Sequence, residues 1–81
     1  MISAAQLKAA RALLGMDKKT LAEASGLSLP TIQRMESSDG TIRGNVDSLM
    51  KLVAALDAAG IELIAEGTAS GGGGRGVRLK K

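Results

Sequence analysis

The spacing of apolar residues predicts four short helices between residues 3 and 60. In the first, from Ala4 to Leu14, apolar side chains recur every three or four positions. This face holds Leu7, Ala10 and Leu14, with Ala9 and Leu13 on or beside it. Ser3 and Gln6 form a capping-box pattern before it, and Gly15 suits its end. The fourth helix is predicted from Val46 to Ala59, and its apolar stripe contains Val46, Leu49, Leu52, Val53 and Leu56.

Residues 17 to 36 have the pattern of two short helices joined by a tight turn. Asp17 is an N-cap candidate for a helix running from Lys18 to Ala24, and Gly26 ends it. Ser28 caps the next helix, and Pro30 lies in its first turn, where a missing N–H costs little. A turn this short, containing a glycine, joins helices that cross at a steep angle. The segment is therefore predicted to be a helix-turn-helix.

The residue types within this segment suit that crossing. Ala22 is small enough for the point of closest approach, and Gly26 can adopt the positive φ that the turn requires. The inner faces of the two helices are predicted to carry the apolar side chains of Leu21, Leu27, Ile32 and Met35.

Residues 3 to 60 resemble the Xre-like helix-turn-helix proteins, which have the fold of the phage repressors. The resemblance rests on the segments LKAARALLGM, LAEASGLS and TIQRME. It implies a DNA-binding domain in residues 1–60 and an ion pair between Arg11 and Glu36 that orients the recognition helix. Where the family usually has Ser-Gln, this chain has Asp17 and Lys18, so Lys18 would meet a phosphate as a point charge.

After Gly60 the pattern changes to a period of two. The segment IELIA, residues 61 to 65, favours a strand, and Val77 and Leu79 alternate with Arg78 and Lys80. We predict that residues 61–81 form a C-terminal β-hairpin with a flexible, glycine-rich tip at residues 66–76. Its apolar side chains would cover the fourth helix or a partner subunit. A dimer interface and a disordered basic arm that binds DNA remain as alternatives for this tail.

Composition narrows the possible functions. The chain has no His, Cys or aromatic residue, which excludes zinc fingers, disulfides and thiol or imidazole catalysis, and also the aromatic platforms that stack on single-stranded nucleic acid. Duplex DNA is therefore favoured over RNA. We expect no enzyme activity, cofactor, metal or membrane association. The protein is predicted to be cytoplasmic. Residues 75–81 carry four of the eleven basic residues, so the rest of the chain has seven basic and eight acidic residues. The net charge of +3 thus comes from the tail.

The resemblance and the helical periodicity assign roles to individual residues. The outer face of the recognition helix is expected to read bases through Leu29, Pro30, Gln33 and Arg34. Contacts to the DNA backbone are expected from Lys18, Lys19, Ser28, Thr31, Thr41 and Arg43. Structural roles are assigned to Arg11, Glu36, Ala22 and Gly26.

The predicted function is that of a sequence-specific regulator of transcription that binds double-stranded DNA, acting as a dimeric repressor. One alternative is an antitoxin that autoregulates its operon and binds a toxin partner. The other is a protein-interaction module that has kept the fold and lost DNA binding.

Overall fold

The computed structural model describes residues 2–64 and 75–80 and has four helices followed by a two-stranded antiparallel hairpin. The helices are α1 (Ala4–Leu14), α2 (Lys18–Ser25), α3 (Leu29–Glu36) and α4 (Val46–Ala58), and the strands are β1 (Ile61–Ile64) and β2 (Gly76–Leu79). The predicted mainly helical fold with a C-terminal hairpin is confirmed. None of the described helices is long and apolar enough to cross a membrane.

Short polar side chains begin each helix, and those of α1, α2 and α3 are the caps that the sequence predicted. Ser3, Asp17, Ser28 and Asn45 each accept a hydrogen bond from the backbone N–H three residues further on. This satisfies N–H groups that have no partner within their own helix. α1 and α2 end at Gly15 and Gly26, whose φ angles of 63° and 75° lie in the left-handed region. α4 ends at Ala58, one residue earlier than predicted.

The core lies between the helices and one face of the hairpin. The largest fully buried side chains come from the N-terminal segment, all four helices and β1: Ile2, Leu7, Leu21, Ile32, Met35, Leu52, Leu56 and Ile61. Three apolar residues predicted on or beside the buried faces are exposed instead: Ala9, Leu13 and Val46. In α1 the buried stripe runs through Leu7 and Ala10, and Ala9 and Leu13 turn away from it. Val46 is the first residue of α4 and is largely exposed.

The hairpin pairs the two segments that the period-two pattern predicted as strands. Ile61 pairs with Leu79 and Leu63 with Val77, so the apolar side chains share one face. β1 packs against α4 and β2 against α1. Leu79, predicted to be covered, is substantially exposed because it lies at the end of β2.

The predicted boundary of the hairpin tip needs one correction. Gly76, predicted to lie in the tip, is the first residue of β2 and pairs with Ile64. The rest of the predicted tip, apart from Arg75, lies outside the described residues, as does Ala65.

Gln6 fastens the hairpin to α1. Its side-chain oxygen accepts the Ser3 N–H at 2.9 Å, which completes the capping box. Its amide nitrogen Nε2 donates to the carbonyl oxygens of Ile64 at 3.1 Å and Gly76 at 2.9 Å. The side chain is buried, and its polar atoms all have partners. Gln6 therefore joins both strands to the start of the chain.

Candidate nucleic-acid interface

The turn between α2 and α3 has the geometry that the motif requires. After Gly26, the N–H of Leu27 donates to the carbonyl oxygen of Ala22 at 3.1 Å and closes the end of α2. Ala22 is buried in α2, which packs against both α3 and α4. Ser25 is also buried, and its hydroxyl donates to the carbonyl oxygen of Leu21 at 2.8 Å. This bond lets a polar residue lie in the packed turn without an unsatisfied hydroxyl.

The outer face of α3 presents the four residues predicted to read bases. Leu29, Pro30, Gln33 and Arg34 are all exposed. Because residues four apart stack on one side of a helix, they form two adjacent columns, 29 with 33 and 30 with 34. Ile32 and Met35 are fully buried on the opposite side. The exposed face thus combines a guanidinium, an amide and two apolar groups, and the opposite face of the helix is packed in the core.

An ion pair holds the C-terminal end of α3 against α1. The Nε and Nη2 atoms of Arg11 donate to the two carboxylate oxygens of Glu36 at 2.5 and 2.8 Å. The Nη1 atom of Arg11 donates to the carbonyl oxygen of Met16 at 3.1 Å. Glu36 is only 5% exposed and the Arg11 side chain 20%. The predicted pairing is therefore present, and it fixes α3 relative to α1 and to the start of α2.

The charge of Arg11 suits a structural role. The hydrogen bond with Glu36 raises the pKa of Arg11 above its usual value, although burial opposes that shift. A guanidinium stays charged at any physiological pH, so Arg11 remains a cation in this pair. Because its donors are directed at Glu36 and Met16, Arg11 is engaged within the protein.

The first turns of α2 and α3 carry candidate phosphate contacts. Lys19 is exposed and Lys18 partly buried at the start of α2, where the Asp17 carboxylate caps the helix. The backbone N–H of Thr20 holds the pKa of Asp17 below its usual value. Asp17 therefore remains a negative charge beside these lysines. Because Asp17 already occupies the N-terminus of α2, a phosphate bound here would have to be attracted by Lys18 and Lys19.

The hydroxyls of Ser28 and Thr31 contact each other at the start of α3. Their oxygen atoms lie 2.8 Å apart, and Ser28 Oγ also accepts the Thr31 N–H at 3.2 Å. Ser28 thus serves as an N-cap, whether or not it also meets a phosphate.

The loop after α3 is anchored to the start of the chain. The Ala4 N–H donates to the Gly40 carbonyl oxygen at 2.9 Å, and the Ile42 N–H to that of Ile2 at 3.0 Å. Ile42 is buried, and its neighbours Thr41 and Arg43 are exposed. The two predicted backbone contacts therefore flank a residue that is fixed in the core.

Arg75 is a candidate that the sequence did not single out. Its Nη1 atom donates to the hydroxyl oxygen of Thr41 at 3.0 Å, which brings a cation from the tail to the loop that carries Arg43. Arg78 and Lys80 lie elsewhere on the hairpin and form ion pairs with Glu62 and Asp57. In the sequence these three cations look alike. The strand register distinguishes them, because it places Arg75 beside the loop and pairs Arg78 and Lys80 with acidic residues.

These features define a helix-turn-helix domain in which α3 is the exposed, braced helix. The helix-turn-helix family model matches residues 7–62, which is more than half of the chain. The chain therefore belongs to this family of DNA-binding regulators, and the resemblance to Xre-like helix-turn-helix proteins is confirmed. No curated protein shows significant similarity to the chain.

Proposed function

We propose that the protein is a sequence-specific DNA-binding repressor that acts as a homodimer on a palindromic operator. The observation that carries this proposal is the outer face of α3, where four exposed side chains stand on a helix held by the Arg11–Glu36 pair. A recognition helix discriminates between bases when its orientation is fixed, and the buried pair supplies that constraint.

Each residue on this face has a chemical role in the proposal. Arg34 donates two hydrogen bonds to the O6 and N7 atoms of guanine, the commonest specific contact in the major groove. Gln33 contacts adenine or a phosphate. Leu29 and Pro30 offer no side-chain donor, and they pack against the methyl groups of thymines.

A second copy is part of the proposal because one module makes few base contacts. α3 has only 8 residues and exposes four candidate side chains. Two copies on a two-fold axis double these contacts, and the operator then has two related half-sites about one helical turn apart. Selecting bound sequences from a random duplex library tests this directly. A site without two-fold symmetry would contradict the dimeric mode of binding.

Replacing Arg34 with alanine is expected to weaken specific binding by about 1–3 kcal/mol and to relax the preference at one base pair per half-site. The measurement is a mobility-shift titration of the selected site and of variants at each position. Arg78→Ala is the matched control, because it removes the same side chain from the hairpin, where Glu62 pairs with it. An equal loss on every sequence would assign Arg34 to the DNA backbone instead.

Arg43 and Arg75 are expected to act on the phosphates without reading sequence. Changing either to alanine should weaken specific and non-specific binding alike and reduce the slope of log affinity against log salt by about one unit. Arg78→Ala should leave the slope unchanged. A normal slope for Arg75→Ala would mean that the cation beside Thr41 stays within the protein. The proposed set of backbone contacts also contains Lys18, Lys19, Ser28, Thr31 and Thr41.

The near-neutral charge outside the tail favours a second candidate, a protein-interaction module without DNA binding. Seven basic and eight acidic residues precede Arg75, so no general positive field attracts DNA to the domain. A mobility shift on random duplex at low salt separates the candidates, because the module would give none. An antitoxin would also give a shift, and it would in addition bind a toxin, which a neighbouring toxin gene would identify.

A further inference from the structure

An apolar stripe on α4 remains in contact with water. Val46 is 68% exposed and Met50 61% exposed, although both are apolar. Met50 lines a groove of about 420 Å³, together with the apolar residues Val53, Ala54 and Leu63 and the acidic residue Asp57. We name Val46, Met50, Val53, Ala54 and Leu63 the α4 surface. A contiguous exposed apolar surface of this kind is typical of an interaction site.

The proposed DNA contacts do not use the α4 surface. α4 packs against α2 and β1, whereas α3 packs against α1 and α2. The core-facing side of α4 is already occupied, because Leu52 and Leu56 are fully buried. The α4 surface therefore belongs to a different face of the helix and is available to a partner.

The described residues leave this surface uncovered. Val46 and Met50 stay largely exposed beside the parts of the chain that the structure describes, residues 2–64 and 75–80. A partner molecule that packed on these side chains would remove their apolar area from water.

The charges around the groove favour a second copy of the same chain. Asp47 pairs with Lys51 at 3.2 Å, and Asp57 pairs with Lys80. Each of these acidic residues on the rim thus has a basic partner, and the rim has no dominant sign. A two-fold interface places the same patch against itself, so a rim of one sign would repel its copy. A strongly charged partner, in contrast, would find no complementary field here.

We propose that the α4 surface is the dimer interface, with α4 of one copy packed against α4 of the other across a two-fold axis. This inference rests on the proposed function in one respect, the homodimer. Met50 of each copy would enter the groove between Val53 and Leu63 of its partner. A flexible thioether suits that place because it adapts to an irregular cavity.

Sedimentation velocity of the full chain, with Met50→Asp as the variant, tests the interface. The wild type should sediment with twice the 8.2 kDa of one chain, and the variant with 8.2 kDa. Two carboxylates, one from each copy, would be buried without partners, which should weaken self-association on the order of 100-fold. Leu13→Asp is the matched control, because Leu13 is also an exposed apolar residue, 46% exposed, but lies on α1. It should remain dimeric.

Thermal melting and half-site binding establish whether the monomeric variant is still folded. Met50→Asp should keep a helical, cooperative melt at concentrations where the wild type is also monomeric, and it should still bind a single half-site. Val46→Asp should behave in the same way. The proposed interface would be overturned by any of three results: a dimeric Met50→Asp variant, an equal effect of Leu13→Asp, or a monomeric wild type. A monomeric wild type would mean that a different protein binds the α4 surface. Binding of the wild type to the selected operator is measured separately, so a failed interface leaves the proposed DNA recognition standing.

Discussion

Replacing Glu36 with alanine is expected to destabilise the domain by about 3 kcal/mol and to impair specific DNA binding. The substitution leaves the Arg11 guanidinium facing a buried gap, with only the Met16 carbonyl oxygen as a partner. Breaking a buried ion pair typically costs about 3–5 kcal/mol, and the lower end applies because Arg11 is 20% exposed. Since a small domain has a total stability of about 5–15 kcal/mol, this loss is severe.

Urea denaturation provides the measurement, and the chain supplies its own control. Glu62→Ala breaks a second Arg–Glu pair, but Glu62 and Arg78 are both exposed, so the change in stability should be much smaller. The Glu36 variant should also lose more affinity for the selected operator than for random duplex, because α3 is no longer held in one orientation. Similar stabilities of the two variants would show that the Arg11–Glu36 pair contributes no more than a surface contact.

The helix ends could be predicted because their causes are local. A polar cap such as Asp17 acts on an N–H three residues away, and the αL residue Gly26 closes the helix to which it is attached. The Arg11–Glu36 pair joins residues far apart in sequence, and it was predicted only through the resemblance to the family. Its presence shows that this resemblance supplied a tertiary contact that periodicity could not.

The contacts between the tail and the rest of the domain could not be predicted in this way. The bonds from Gln6 to Ile64 and Gly76 depend on the register of a hairpin that closes some 60 to 70 residues later. The proximity of Arg75 to Thr41 has the same origin. The exposure of Val46 could not be predicted either, because periodicity indicates only that this residue shares a face with other apolar residues. The proposed roles of α3 in reading bases remain predictions, because they concern a partner molecule.

Deletion of residues 75–81 is expected to reduce the stability of the domain, and not only its affinity for DNA. The deletion removes β2, so Leu63 loses Val77 opposite it and Gln6 loses the Gly76 carbonyl oxygen as an acceptor. Loss of a partly buried valine and of a buried hydrogen bond together costs about 2–4 kcal/mol. For a chain of this size, each kcal/mol corresponds to about 4–8 °C in Tm, so the truncated chain should melt roughly 10 °C lower or more.

A full-length variant separates the structural role of the tail from its charge. Changing Arg75, Arg78, Lys80 and Lys81 to glutamine keeps β2 and its apolar side chains while removing four positive charges. Since the ion pairs that Arg78 and Lys80 form are exposed, this variant should melt close to the wild type and lose only salt-dependent DNA affinity. Melting at equal protein concentration compares the three chains. If the truncated chain melts like the wild type and loses only salt-sensitive affinity, the tail is a basic arm, and the hairpin contributes nothing to holding Ile61 and Leu63 in the core.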